Sequence, residues 1–184
     1  MILGKAKGDK MAHEYETQVL EVDDEVISGK LRKLGAKEEV EVFQKRWVYY
    51  IDENSWVRLR QVGDRTEITY KNKKGTGVSE TEEIEIVVDS FEKSAELISK
   101  LKFYTEKYYQ ENRRKKFVLK DIEFTLDTWP RILTILEVEA KSEVKVAEGL
   151  HLLGLSGKDI GHEGMVRIYK HYSIDLHSIP KLTF

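Results

Sequence analysis

The sequence predicts an α+β fold: an antiparallel eight-stranded β-barrel with helices packed outside it. Three observations carry that expectation. Short strand-like runs follow one another with tight-turn residues between them, the pattern of consecutive antiparallel strands. A few segments of helical periodicity, each opening on an Asp or Ser, interrupt the strands. Four strands also place like charges at positions i and i+2, where side chains share a face about 6.5 Å apart. These are Glu14/Glu16, Arg58/Arg60, Glu83/Glu85 and Glu137/Glu139. A closed barrel gives every strand an inner face, and so a common interior for charges of both signs.

The elements follow in order. Residues 1–12 show no periodicity and read as a flexible leader before a single domain over 13–184. The first strand spans about 13–22. Asp23 or Asp24 caps a helix carrying Val26, Ile27, Leu31 and Leu34, with Gly35 as its stop. Strands at 40–52, 55–62 and 66–73 come next, turning at Glu53-Asn54 and Gly63-Asp64. Residues 74–80 read as a mobile loop before a strand at 81–88. Ser90 then caps a helix whose apolar face is Phe91, Leu97, Ile98 and Leu101. A second strand set follows: about 103–110, the run RKKFVL, then IEFTLDTW after a turn at Lys120-Asp121. After a loop holding Pro130, the Glu137/Glu139 strand closes the set. Ser142 caps a helix ending near Gly154, and the tail is a short helix around Met165–Tyr172 with an extended end.

Composition narrows the function classes. Thirty-one basic residues against 33 acidic ones leave a net charge of −2, which argues against a general nucleic-acid binder. Without cysteine there is no disulfide, thiolate zinc site or cysteine nucleophile. No apolar run approaches a membrane span and no signal-peptide core opens the chain, so a cytoplasmic location is expected. The five histidines, His13, His151, His162, His171 and His177, lack zinc-ligand spacing and are expected at the surface.

Each charged pair alone reads as a solvated strand face. Together they read differently, because the opposite faces are apolar: Tyr15 and Val19; Ile84, Ile86 and Val88; Leu136 and Val138. If those faces pack under helices, the glutamates point into the barrel or outward across an open sheet. Buried glutamates need a counter-charge or a metal, and carboxylate oxygens suit Mg2+ or Mn2+. Asp127 extends the acidic set, while Lys71 and the run from Arg113 to Lys116 extend the basic one. Arginine forks match phosphate oxygens. A basic half and an acidic half fit a polyanion held by Arg and Lys and bridged through metal to Glu.

In order, these motifs resemble the CYTH family, the triphosphate tunnel metalloenzymes, from about Glu14 to Glu139. That family includes class IV adenylate cyclases and the thiamine and inorganic triphosphatases. The resemblance implies a triphosphate tunnel needing Mg2+ or Mn2+. It puts Arg58, Arg60, Lys71 and Arg114 on the triphosphate, and Glu14 and Glu16 of the signature Glu-x-Glu-x-Lys strand with Glu83, Glu85, Asp127, Glu137 and Glu139 at acidic metal positions, Glu137 and Glu139 foremost. Arg113 is the alternate to Arg114. Arg58, Lys71 and Glu137 are the catalytic candidates. The signature lysine is Gln18 here, still placed beside the substrate but without the charge. The expected activity is conversion of ATP to cyclic AMP and pyrophosphate, with triphosphate hydrolysis as the alternative and non-catalytic binding of nucleotide or polyphosphate as a third reading. The partners expected are ATP, thiamine triphosphate or tripolyphosphate and a second copy in a homodimer, with no nucleic acid and no membrane.

Overall fold

The computed structural model describes residues 15–73 and 81–184. The expected leader, Glu14 and the expected loop at 74–80 lie outside these residues. The chain runs β1 (Tyr15–Val22), α1 (Asp24–Lys33), β2 (Lys37–Glu38), β3 (Val42–Tyr50), β4 (Ser55–Val62), β5 (Arg65–Lys73) and β6 (Thr81–Val88). It continues with α2 (Phe91–Leu101), β7 (Glu106–Leu119), β8 (Ile122–Thr128), β9 (Thr134–Ala140), α3 (Glu143–Leu153) and α4 (Met165–His171). A 3-10 turn at Leu176–Ser178 and β10 (Lys181–Leu182) complete it. No helix among the described residues is long and apolar enough to cross a membrane.

Eight strands form one sheet in the order β1-β9-β8-β7-β3-β4-β5-β6, all antiparallel. β1 and β6 are its two ends, so the barrel-like sheet is not closed by hydrogen bonds. β7 holds the two halves together. Its first nine residues pair with β3 and its last seven with β8, while short β10 and β2 pair with it as well. The two strands expected at 103–110 and in RKKFVL are therefore one strand. Polar Gln110–Asn112 interrupts the apolar pattern between them, yet this stretch pairs across the sheet with Arg46, Lys45 and Gln44.

Local chemistry accounts for the boundaries. Asp23, Ser90 and Ser142 each accept a hydrogen bond from a backbone N–H of the first turn of α1, α2 and α3, satisfying a donor the helix leaves unpaired. Gly63-Asp64 and Lys120-Asp121 are two-residue turns, with Gly63 and Lys120 at positive φ. The β3–β4 connection is looser than Glu53-Asn54 suggested. Asp52 accepts from the backbone N–H groups of Asn54 and Ser55, both at 2.8 Å, and from the Ser55 hydroxyl. That side-chain-built turn replaces a two-residue one.

The two faces of the sheet differ. On the outer face Val19, Phe117, Phe124, Leu126, Leu136 and Val138 pack beneath α1 and α3. Gly149 of α3 lies so close that a Cβ there would meet Val138 Cγ1 at 2.9 Å. Farther along the same face, Tyr49 and Leu59 pack against Phe91 and Ile98 of α2. Leu97 and Leu101 of α2 are exposed, so its buried stripe is narrower than expected. The inner face carries the charges. Residues 159–176 roof part of it, and there α4 and the C-terminal tail pack on Trp129 and Ile135.

Candidate functional site

Strand register decides which charged groups meet. Along β1 and β9, Glu16 lies opposite Glu139 and Gln18 opposite Glu137. Glu137 then faces Thr125 and Glu139 faces Glu123 on β8, and Asp127 faces Arg114 on β7. On the other side of β7, Gln44 lies opposite Asn112 and Arg46 opposite Gln110. Arg46 meets Arg60 on β4, whose neighbours on β5 are Glu67 and, from Arg58, Thr69. Lys71 and Glu83 pair at the β5–β6 edge. All these side chains share the inner face by alternation.

The basic half centres on three arginines. Arg46 donates to the amide oxygens of Gln44, at 3.0 Å, and Asn112, and its guanidinium lies 4.8 Å from the Trp129 ring centre. Burial, then repulsion from Arg60 and Arg58, pulls its pKa down to about 9, so it is cationic at neutral pH. Arg58 donates weakly to Thr69 at 3.4 Å, and burial followed by repulsion from Arg60 lowers its pKa too. The Nε atoms of Arg46 and Arg58 are buried without a hydrogen-bond partner. Arg60 differs, because Glu67 accepts from its Nε at 2.8 Å and from its Nη2. Two crowded, incompletely satisfied guanidinium groups are a demand for an anion.

A cavity of about 530 Å³ opens beside Arg58, between the inner face and the roof. Val48, Tyr50, Trp56 and Gln110 line it from the sheet, and His162, Met165, Val166 and Arg167 from the roof.

The acidic half lies across β7. Arg114 is held by Asp127, Nε to Oδ1 at 2.9 Å and Nη2 to Oδ2 at 2.5 Å, with Glu137 3.9 Å away. Burial acts to lower its pKa, but the bond to Asp127 and the charges of Asp127 and Glu137 prevail and raise it. Asn112 also donates to Asp127 at 3.0 Å. Glu16 and Glu137 meet His162 from the roof: His162 Nδ1 is 3.1 Å from Glu16 Oε1, and one donor atom from each of the three lies within 4.8 Å of the others. Two carboxylates and an imidazole at that spacing fit a divalent cation.

The other expected site residues differ in their surroundings. Arg113 faces outward, its guanidinium 4.8 Å from the Phe184 ring centre, because alternation puts it and Arg114 on opposite faces. Asp127 is buried, with its oxygens accepting from Arg114 and Asn112. Glu83 pairs with Lys71 at 3.0 Å, and Glu85 with Arg65 at 3.4 Å. Both stand at the β6 edge, outside the Glu16–Glu137–His162 group. Gln18 does not point a free amide at a substrate. Its Nε2 donates to Glu137 at 3.1 Å, and its Oε1 accepts from the Glu163 backbone N–H at 2.9 Å. Glu139 shares the face of Glu16 and Glu123.

The sequence reading missed Arg46, Asn112 and His162. Arg46 had a legible signal, since it lies on the strand face opposite the apolar Trp47 and Tyr49, but a lone arginine in QKRW makes no pair. His162 reaches the site from a loop more than 140 residues beyond Glu16, which no strand pattern announces.

The CYTH domain profile matches residues 12–159, most of the chain. The protein belongs to the CYTH family. No curated protein matches the sequence. Among solved structures, the PH1012 protein of Pyrococcus horikoshii is similar at 23% identity and a TM-score of 0.68, over 84% of this chain and 98% of its own. An adenylate cyclase candidate from Vibrio parahaemolyticus gives 12% identity and a TM-score of 0.64, over 85% of this chain and 97% of its own. HpAC1 of Hippeastrum, described as having a dominant triphosphatase activity, gives 13% and 0.58, over 86% and 96%. At these identities the likeness is one of fold. His162 lies beyond the matched CYTH residues.

Proposed function

We propose that this CYTH protein is a metal-dependent enzyme that binds a triphosphate along the inner face and cleaves it by hydrolysis. The observation that carries this reading is the pair of part-buried arginines, Arg46 and Arg58, whose buried Nε atoms have no hydrogen-bond partner, on the same inner face as the carboxylates of Glu16 and Glu137. A triphosphate chain would supply oxygens for the arginines and, through a divalent cation, a bridge to the glutamates. Arg46, Arg58 and Arg60 would bind and orient the phosphates, with Lys71 at the edge. Asp127 fixes the fork of Arg114 so that it meets the phosphate chain near Glu137. Glu16, Glu137 and Glu139 are the carboxylates that would hold Mg2+ or Mn2+, which supplies charge neutralisation and lowers the pKa of an adjacent water. Water then adds to the terminal phosphorus as the bridging P–O bond breaks, giving orthophosphate and, from tripolyphosphate, pyrophosphate. The dominant triphosphatase activity described for HpAC1 supports placing hydrolysis first.

A specific feature favours a second reading, ATP cyclisation. Tyr50, Trp56, Val48 and Val166 give the cavity beside Arg58 an aromatic and aliphatic lining that a nucleobase could occupy. One assay tests both. Purified protein with Mg2+ or Mn2+ is offered tripolyphosphate, thiamine triphosphate and ATP, and products are resolved. Orthophosphate without cyclic AMP supports hydrolysis, and cyclic AMP with pyrophosphate supports cyclisation. Tight binding without turnover would reduce the protein to a polyphosphate binder.

A further inference from the structure

We infer that His162 is a metal ligand, and that Glu16, Glu137 and His162 form a mixed oxygen–nitrogen site for a first-row transition ion such as Mn2+ or Co2+ in preference to Mg2+. This rests on the proposal that a divalent ion sits at Glu16 and Glu137. The new element is the imidazole and the device that holds it.

The device is Gln18. Its backbone N–H donates to Gly161 O at 3.0 Å, and its carbonyl accepts from Ile160 N at 2.9 Å, so the roof segment pairs with the free edge of β1. Its side chain bridges inward, accepting from the Glu163 N–H and donating to Glu137. Thr17 Oγ1 adds a bond to Asp159 at 3.0 Å, and Glu163 ties the segment onward to His171 at 2.9 Å. These bonds bracket residue 162 on both sides, and Gly161 supplies the positive φ for the turn into it. The His162 ring therefore stands over Glu16 with Nδ1 at 3.1 Å. A lysine in place of Gln18 has donors only and could not accept from Glu163 N–H.

Spacing and donor chemistry agree with a metal. An octahedral ion with bonds of about 2.1 Å separates neighbouring donors by about 3.0 Å and opposite donors by about 4.2 Å. The three donor atoms, all within 4.8 Å of one another, are spaced on that scale. Mg2+ binds oxygen almost exclusively and keeps its waters, whereas an imidazole nitrogen strengthens binding of Mn2+, Co2+ and later ions. Gln18 holds Glu137 in orientation, as outer-shell partners of metal ligands do.

Mn2+ binding to the full chain tests this directly. Free Mn2+ is titrated by electron paramagnetic resonance, Mg2+ competes for the site, and pulsed spectra report nitrogen-14 coupling to bound Mn2+. The inference expects imidazole coupling in the native protein and its loss in His162→Ala. That variant should lose about tenfold or more in Mn2+ affinity, with Mg2+ affinity little changed. His162 is exposed, so the variant should fold, as its thermal melt would confirm. Gln18→Leu should weaken the coupling while His162 is still present, a result a merely structural role would not give. Native protein that binds Mn2+ without nitrogen coupling, and His162→Ala that binds it equally well, would overturn the inference and leave the carboxylate site standing. Native protein that binds neither ion would overturn both.

Discussion

The two halves of the inner face solve the same problem, charge gathered on one side of a sheet, in opposite ways. On the acidic side and at β7, local partners do most of the neutralising: Asp127 holds Arg114, Lys116 holds Glu123 at 2.5 Å, and Gln18 and His162 reach Glu137 and Glu16. On the basic side, Arg46 meets neutral amides and Arg58 a hydroxyl, while both Nε atoms stay unpaired. Arg60, two residues from Arg58, has a carboxylate partner in Glu67. A half that is satisfied from within serves as a frame. One that is not is where a ligand makes the difference, because an unpaired buried donor costs about 1–3 kcal/mol until it finds an acceptor.

The strongest way to break this contrast is at the acidic end. Glu137→Gln should cut metal-dependent turnover by about a hundredfold or more, since altered metal ligands cost at least what altered outer-shell partners do. Far-UV circular dichroism should be unchanged, because Glu137 is only partly buried. Turnover equal to the native enzyme would remove Glu137 from the site.

Next comes the distinction between the two arginines of β4. Arg58→Ala should weaken tripolyphosphate binding by about 1.5–3 kcal/mol, the worth of a charged hydrogen bond, without lowering stability. Arg60→Ala should also weaken binding, but it leaves the buried Glu67 with Arg65 as its remaining salt-bridge partner, and so should lower the melting temperature as well. Calorimetric titration with parallel melts separates them. Equal stability loss in both variants would mean that Arg58 has a structural partner.

How much of this was legible depended on distance along the chain. Alternation within a strand placed Arg58, Arg60, Glu137 and Glu139 on faces of uniform character, and helix caps at Asp23, Ser90 and Ser142 read directly from side-chain chemistry. Alternation alone could not choose between Arg113 and Arg114, because without a fixed register either could point inward. The single long β7 escaped notice because its polar middle belongs to a charged interior instead of a turn. Residues 159–176 were least legible. Their position follows from the free edge of β1 and from Gln18, which depend on the assembled sheet.

A control for the frame lies outside the charged face. Gly149→Ala should cost about 1–3 kcal/mol by overpacking, since its new methyl would press on Val138, Ile122 and Phe124 in the closed core beneath α3. Tripolyphosphate affinity should hold in urea-titrated protein that remains folded. A large affinity loss would show that α3 sets the spacing of β8 and β9.

The smallest effect is the sharpest test of what neutralises the basic half. Burial works to raise the Glu67 pKa, but its bond with Arg60, the charge of Arg60 and the bond with Arg65 outweigh it, so the folded value lies below the ordinary glutamate range. A carboxyl with a depressed folded pKa adds stability that is fully present above its unfolded pKa and is lost as pH falls through the folded one. Glu67→Gln removes that term. At neutral pH the variant should be less stable by about 1 kcal/mol, the scale of a partly exposed pair, and the difference should vanish on acidification. It also frees Arg60 to join Arg46 and Arg58 unpaired, so tripolyphosphate should bind Glu67→Gln more tightly and restore much of the lost stability. Weaker binding would mean that Glu67 is needed to aim Arg60, which would make the salt bridge part of the binding geometry and narrow the unsatisfied set to Arg46 and Arg58.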